Sequence, residues 1–197
     1  MIRNSRQAYG MVAILLHWLI ALLIIGQLVV GTVMVRLVNQ RLAFELIQWH
    51  KSVGFLTLAL VVARLAWRLA NPLPSYPATL PAWETRTARA MHRLLYALMV
   101  ALPLSGWALV SVSVLAIPTF AFYLFVIPHL PLGISEASES FWAMAHRLLG
   151  YLMMVLVSIH AAAALRHELW LRNGLLRRML APRSRIRDGQ SRNFVGR

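Results

Sequence analysis

Four apolar runs, each long enough to cross a bilayer, constrain this 197-residue chain more than any other feature. A helix needs roughly 20 residues to cross the hydrocarbon core, and backbone in lipid must satisfy its own hydrogen bonds. The spans are expected at about residues 10–34, 46–69, 89–113 and 141–166. The first run, Tyr9 to Val35, follows Arg3 and Arg6; it is too long for a signal-peptide core and ends in no small-residue cleavage site, so it stays as a helix. Pro72, Pro74, Pro77 and Pro81 forbid a regular helix between the second and third runs.

One stretch is ambiguous. Leu94 to Ser135 contains no charged residue and has length enough for two spans. Lys and Arg accumulate on the cytoplasmic side of short loops, so charge parity arbitrates. With four spans, sixteen Lys and Arg residues share the side of the termini and four (Arg36, Arg41, Lys51, Arg147) lie opposite. A fifth span would put the arginine-rich C-terminus outside. Four is therefore the expected number, with Pro118, Pro128 and Pro131 breaking the excess into an outer loop or interfacial segment.

The expected architecture is an all-α, integral membrane four-helix bundle over residues 1–176, followed by a basic cytoplasmic tail, 177–197. Hydrophobic residues make up 59% of the chain and charged ones 13%, which excludes the surface of an ordinary soluble domain. Attraction to the membrane surface accounts for the basic tail, so no nucleic-acid partner is expected. The chain has no cysteine. Disulfides, thiolate-held iron–sulfur or zinc sites and c-type haem attachment are excluded, leaving histidine as the softest strong metal ligand.

Histidine is also what the spans contain. An ionisable side chain in lipid is costly and marks a functional site by default. The topology places His17 and His160 at one depth near the inner face, and His50 and His146 at another near the outer face. His146 and His160 are 14 residues apart, a rise of about 21 Å that leaves both near one face of a helix. One helix can thus serve two buried metal centres.

Each of these four histidines is followed four residues later by a small residue: Ala21, Gly54, Gly150 or Ala164. A small side chain one turn away leaves room for a flat, wide group. A flat group held by two imidazoles is b-type haem, so two haems between the helices are expected. With both axial positions filled, such iron suits outer-sphere electron transfer. Haem propionates want basic partners. Arg64, 14 residues after His50, reaches the inner level and is the first choice there; Lys51 and Arg147 directly follow the outer histidines. His92 has Tyr96 four residues on and ranks below the four as an iron ligand, with a polar role near the inner centre, as has the neighbouring Arg93. His129 and His167 are expected to be solvated. The tryptophans near span ends, Trp49, Trp142 and Trp170, read as interfacial belts.

Several segments, in order, resemble the prokaryotic cytochrome b-561 family: Leu16-His17-Trp18-Leu19, Trp49-His50-Lys51-Ser52-Val53-Gly54, Arg64-Leu65-Ala66-Trp67-Arg68, His92-Arg93-Leu94-Leu95-Tyr96, Ala101-Leu102-Pro103-Leu104-Ser105-Gly106-Trp107, His146-Arg147-Leu148-Leu149-Gly150 and Ile159-His160-Ala161. The resemblance covers about Gln7 to His167. It implies a four-helix bundle in the bacterial inner membrane with two b haems, ligated by His17 with His160 and by His50 with His146, exchanging electrons with membrane quinone. One branch of the family is similar to a superoxide oxidase that reduces ubiquinone; other relatives are haem subunits relaying electrons for a dehydrogenase or hydrogenase partner. The stretch Val114 to Gly133 departs from the family in being unusually apolar. A histidine-lined metal transporter is the third reading, weakened by the lack of acidic residues in the spans.

Overall fold

In the computed structural model, which describes residues 1–77 and 80–180, four long helices account for most of the chain. They are α1 (Met11–Met34), α2 (Gln40–Ala70), α3 (Ala82–Val112) and α4 (Glu136–Leu169), each long and apolar enough to span a membrane. A two-stranded hairpin, β1 (Thr119–Ala121) and β2 (Phe125–Ile127), lies between α3 and α4. The all-helical four-span architecture is as expected. Most of the proposed basic tail, from residue 181 onward, lies outside the described residues.

The helices outrun the apolar runs that announced them. α2 begins at Gln40 because the Asn39 side chain accepts from Leu42 N at 3.1 Å, and α4 begins at Glu136 because Ser135 accepts from Ser138 N, also at 3.1 Å. Glu136 and Glu139 then complement the positive end of the α4 dipole. Glu139 also reaches back to α3, accepting from Ser113 Oγ and Val114 N. His50 and His146 therefore sit about ten residues inside their helices rather than opening them. His92, likewise, lies ten residues past the start of α3.

Packing divides the bundle into two pairs. α1 lies along α2 and α3 along α4, with a lighter seam between α2 and α3. The buried centre is Leu95, Leu98, Met153 and Leu156 on α3 and α4, joined by Ile24 and Leu28 of α1. Lipid tails are as apolar as leucine, so helix association in a bilayer relies on close packing and on polar contacts worth roughly 0.6–2 kcal/mol each. Three such contacts join successive helices: Gln27 Nε2 donates to His50 O at 2.7 Å, Arg64 Nε to Tyr96 Oη at 3.0 Å, and Ser105 Oγ meets His146 Nδ1 at 3.0 Å.

The bundle has a tail end, with both terminal segments and the α2–α3 loop, and a hairpin end. At the tail end Ser75 N donates to Arg6 O, Arg178 to Ser75 O, and Trp18 Nε1 to Met179 O at 2.7 Å. Arg166 pairs with Glu84 at 3.4 Å, tying α4 to α3. His167 is not solvated as expected: it is mostly buried, 3.8 Å from Glu84 and 2.8 Å from the Asn173 amide. His129 also departs from the expectation, its Nε2 being buried. Both lie where chain folds back onto the helix ends, which hydropathy does not register.

At the hairpin turn, Phe122 and Tyr123 adopt φ of 51° and 59°. Consecutive positive φ values suit Asn-Gly in a primed turn, and bulky residues there cost roughly 1–2 kcal/mol each. Their rings pack edge-on against Trp49, with centres 5.8 and 6.4 Å away, which offsets part of that strain.

Candidate functional site

The seam between the helix pairs is where the histidines meet. At the tail end His17 of α1 faces His160 of α4 with ring centres 6.4 Å apart; at the hairpin end His50 of α2 faces His146 of α4 at 6.2 Å. A metal–imidazole bond is about 2.0–2.1 Å, and the nitrogen lies about 1.1 Å from its ring centre, so two imidazoles across one metal ion have centres about 6.3 Å apart. Both spacings suit a metal held axially between two helices. Met153 and Leu156 lie between the two levels on α4, so an apolar septum separates them.

The hairpin-end pair is closely walled. Gly31 of α1 lies against the His50 ring, where a Cβ would come 3.2 Å from Cε1; Gly106 of α3 lies against His146, where a Cβ would come 3.0 Å from Cε1. Any larger residue would push the rings toward the seam. On the seam side, Gly150 has open space beside it. Pro103 removes a donor from α3 and crowds the preceding turn. Just beyond it, Ser105 Oγ donates to Leu102 O at 2.7 Å, leaving its oxygen to accept from His146 Nδ1 at 3.0 Å. Leu102 O is itself 3.2 Å from Nδ1. That arrangement places the proton on Nδ1 and leaves Nε2 free as a metal ligand. His50 Nδ1, by contrast, is buried with no hydrogen-bond partner.

The tail-end pair has richer company. His92 of α3 lies 5.4 Å from His160, closer than His17 does, so three imidazoles share this level. Its spacing is too short for two rings on opposite sides of one metal ion, which separates His92 from the facing pairs. Arg64 of α2 reaches this end of the seam by its hydrogen bond to Tyr96, one turn along α3 from His92, as its spacing from His50 implied. Its guanidinium donates to Tyr96 Oη and, with that of Arg68, lies over the Tyr96 ring at 5.8 and 5.4 Å. Tyr9, just before α1, sits among Tyr76, Arg68 and Arg64, and burial pushes its hydroxyl above the ordinary value.

The outer basic candidates diverge. Lys51 Nζ donates to Pro118 O at 3.2 Å and thereby helps hold the hairpin, whereas Arg147 is exposed on α4. Arg93 is exposed. Gly31, Gly106, Ser105 and Tyr96 were not singled out as site residues from sequence. The Ser105-Gly106 step one turn from Pro103 was the available signal. Gly31 had none beyond being a glycine within an apolar helix.

Comparison with known proteins agrees with this architecture. The profile of the prokaryotic cytochrome b561 family matches residues 8–182. Cytochrome b561 homolog 2 of Escherichia coli (strain K12) is 30% identical over 185 residues, covering 92% of this chain and 95% of that protein. Cytochrome b561 homolog 1 of the same organism is 31% identical over 137 residues, covering 68% of this chain and 74% of its own. Four membrane-spanning helices, facing histidines in their seam and a family match over nearly the whole chain lead to one conclusion: the protein belongs to the prokaryotic cytochrome b561 family, a multi-pass membrane cytochrome that binds b-type haem and serves in electron transfer.

Proposed function

We propose that the chain holds two b haems, one between His17 and His160 and one between His50 and His146, and carries electrons across the bacterial inner membrane to or from quinone. The observation that carries this reading is the pair of facing imidazoles, 6.4 and 6.2 Å apart, repeated 14 residues on along α4. At each level the two facing histidines would hold the haem, which when bound would supply a one-electron iron couple.

The protein's own groups do the rest. Ser105 and Leu102 orient His146 and keep its Nδ1 protonated, and Gly31 and Gly106 leave the room that the His50 and His146 rings occupy against α1 and α3. Arg64, steadied by Tyr96, offers its remaining N–H groups to a carboxylate at the tail end, with His92 as a polar neighbour of His160. Lys51 and Arg147 provide positive charge at the hairpin end. The sixteen-to-four distribution of Lys and Arg supports termini in the cytoplasm and the hairpin end outside. Electron entry from a small donor such as superoxide, with ubiquinone as acceptor, fits a haem held by two histidines, which would transfer electrons without binding the donor.

A second reading makes the chain the haem-bearing subunit of a dehydrogenase or hydrogenase. It draws on Arg86, Arg89 and Arg93, exposed on the first turns of α3, as a docking surface for an acidic soluble partner. Haem quantitation of the purified holoprotein decides the first point: two haems per chain are expected, and one would remove half of the proposal. Superoxide-driven ubiquinone reduction by the isolated chain separates the readings. Inactivity with both haems intact would favour the subunit.

A further inference from the structure

The unusually apolar segment Val114 to Gly133 contains the hairpin, and its contacts define how deep it sits. Pro118 O accepts from Gln48 and Lys51; Phe120 N donates to Gln48 Oε1; Ser52 Oγ donates to Phe120 O and accepts from Phe122 N. As β1 advances from 118 to 122 its partners advance from Gln48 to Ser52, so the strand descends along α2 toward the bilayer centre. The turn is thus the deepest part of the hairpin. Centring about 30 Å of hydrocarbon between Lys51 and Arg64 puts the level of Ser52 roughly 7 Å inside its boundary.

Irregular backbone is tolerated at such depth only where its polar groups are satisfied by protein. Gln48 and Ser52 supply that, and they are 0% and 2% exposed beneath the strand. The opposite face carries no polar side chain except the Tyr123 hydroxyl: Tyr123, Leu124, Phe125 and Val126 are all exposed, Leu124 by 80%. The turn residues are themselves the wrong ones for a turn in water, where positive φ would favour Asn-Gly. Beside the tip, Trp49 and, two turns deeper, Leu56 are exposed apolar residues of α2, so the tip extends an apolar surface already at hydrocarbon depth.

We propose that the 119–127 hairpin is a shallow re-entrant wedge whose Tyr123–Phe125 tip is seated among the acyl chains of the leaflet at the hairpin end. Its partner is lipid.

The absence of cysteine makes the test direct. Leu124→Cys, Val38→Cys in the α1–α2 loop, 92% exposed, and Leu22→Cys on the lipid-facing side of α1 are each spin-labelled in holoprotein reconstituted into phosphatidylcholine vesicles. Collision rates with molecular oxygen, which dissolves in lipid, and with a nickel chelate, which stays in water, are then measured. The label at 124 should resemble that at 22, with a nickel-to-oxygen ratio several-fold below that at 38. A ratio at 124 equal to that at 38 overturns the proposal by placing the tip in water. Protection from both reagents, or broadening between labels on neighbouring copies, overturns it in favour of a protein partner. A Phe125→Cys label should report the same depth as 124, and unchanged haem absorption in each variant certifies the fold.

Discussion

At the hairpin end, His146 is hydrogen-bonded through Nδ1 to Ser105, and glycines lie against both imidazoles; at the tail end, no hydrogen bond from the described residues orients His17 or His160, and a third histidine joins the level, with Arg64 and Arg68 gathered at Tyr96 one turn along α3 from His92. One end positions its ligands by backbone and hydroxyl contacts, the other surrounds them with charge. Two haems bound as proposed would then differ in potential without differing in ligands, because hydrogen bonding at Nδ1 and nearby positive charge act independently.

The largest expected effects fall on haem content. His160→Ala should cut the pyridine haemochrome value from two per chain to one and leave the hairpin-end centre spectrally intact; retention of both haems would break the pairing with His17. Gly106→Val should empty most of the hairpin-end site while sparing the tail-end one, since its side chain must enter the space of the His146 ring. Intact haem content in that variant would show the wall to be compliant.

Smaller effects fall on potentials. Ser105→Ala removes the acceptor from His146 Nδ1–H and makes the imidazole a poorer donor; a loss of roughly 1 kcal/mol, felt in one oxidation state, raises a one-electron potential by about 40 mV. Redox titration should find that shift at the hairpin-end haem alone. Tyr96→Phe releases the Arg64 guanidinium, and tail-end haem affinity should fall by a few-fold, measured by haem titration of the apoprotein. His92→Ala should alter haem count least, both haems remaining. Loss of the tail-end haem in that variant would make His92, not His17, the partner of His160.

Much of this molecule was legible in its sequence where regular repetition carries information. Hydropathy runs mark spans because the bilayer has one thickness, and 14 residues of helix have one rise, so the depths of His17, His50, His146 and His160 could be ordered in advance. The structure brings those histidines face to face in two pairs. What depends on long-range contact was not legible. Asn39 and Ser135 start helices well before the lipid does, His167 is buried by Glu84 from another helix, and Gly31 matters only because α1 passes His50. The hairpin was hidden because two three-residue strands in an uncharged stretch read the same as a span or a loop.

The seam between the α1–α2 and α3–α4 pairs also bears on biogenesis. Each pair is a helical hairpin that can enter the membrane as the chain emerges, and α1–α2 is complete long before α4 is made. Yet α4 contributes one histidine to both facing pairs. Under the proposed pairing, neither facing pair has both of its histidines until the last span is in place, and a product truncated before α4 carries only half of each pair.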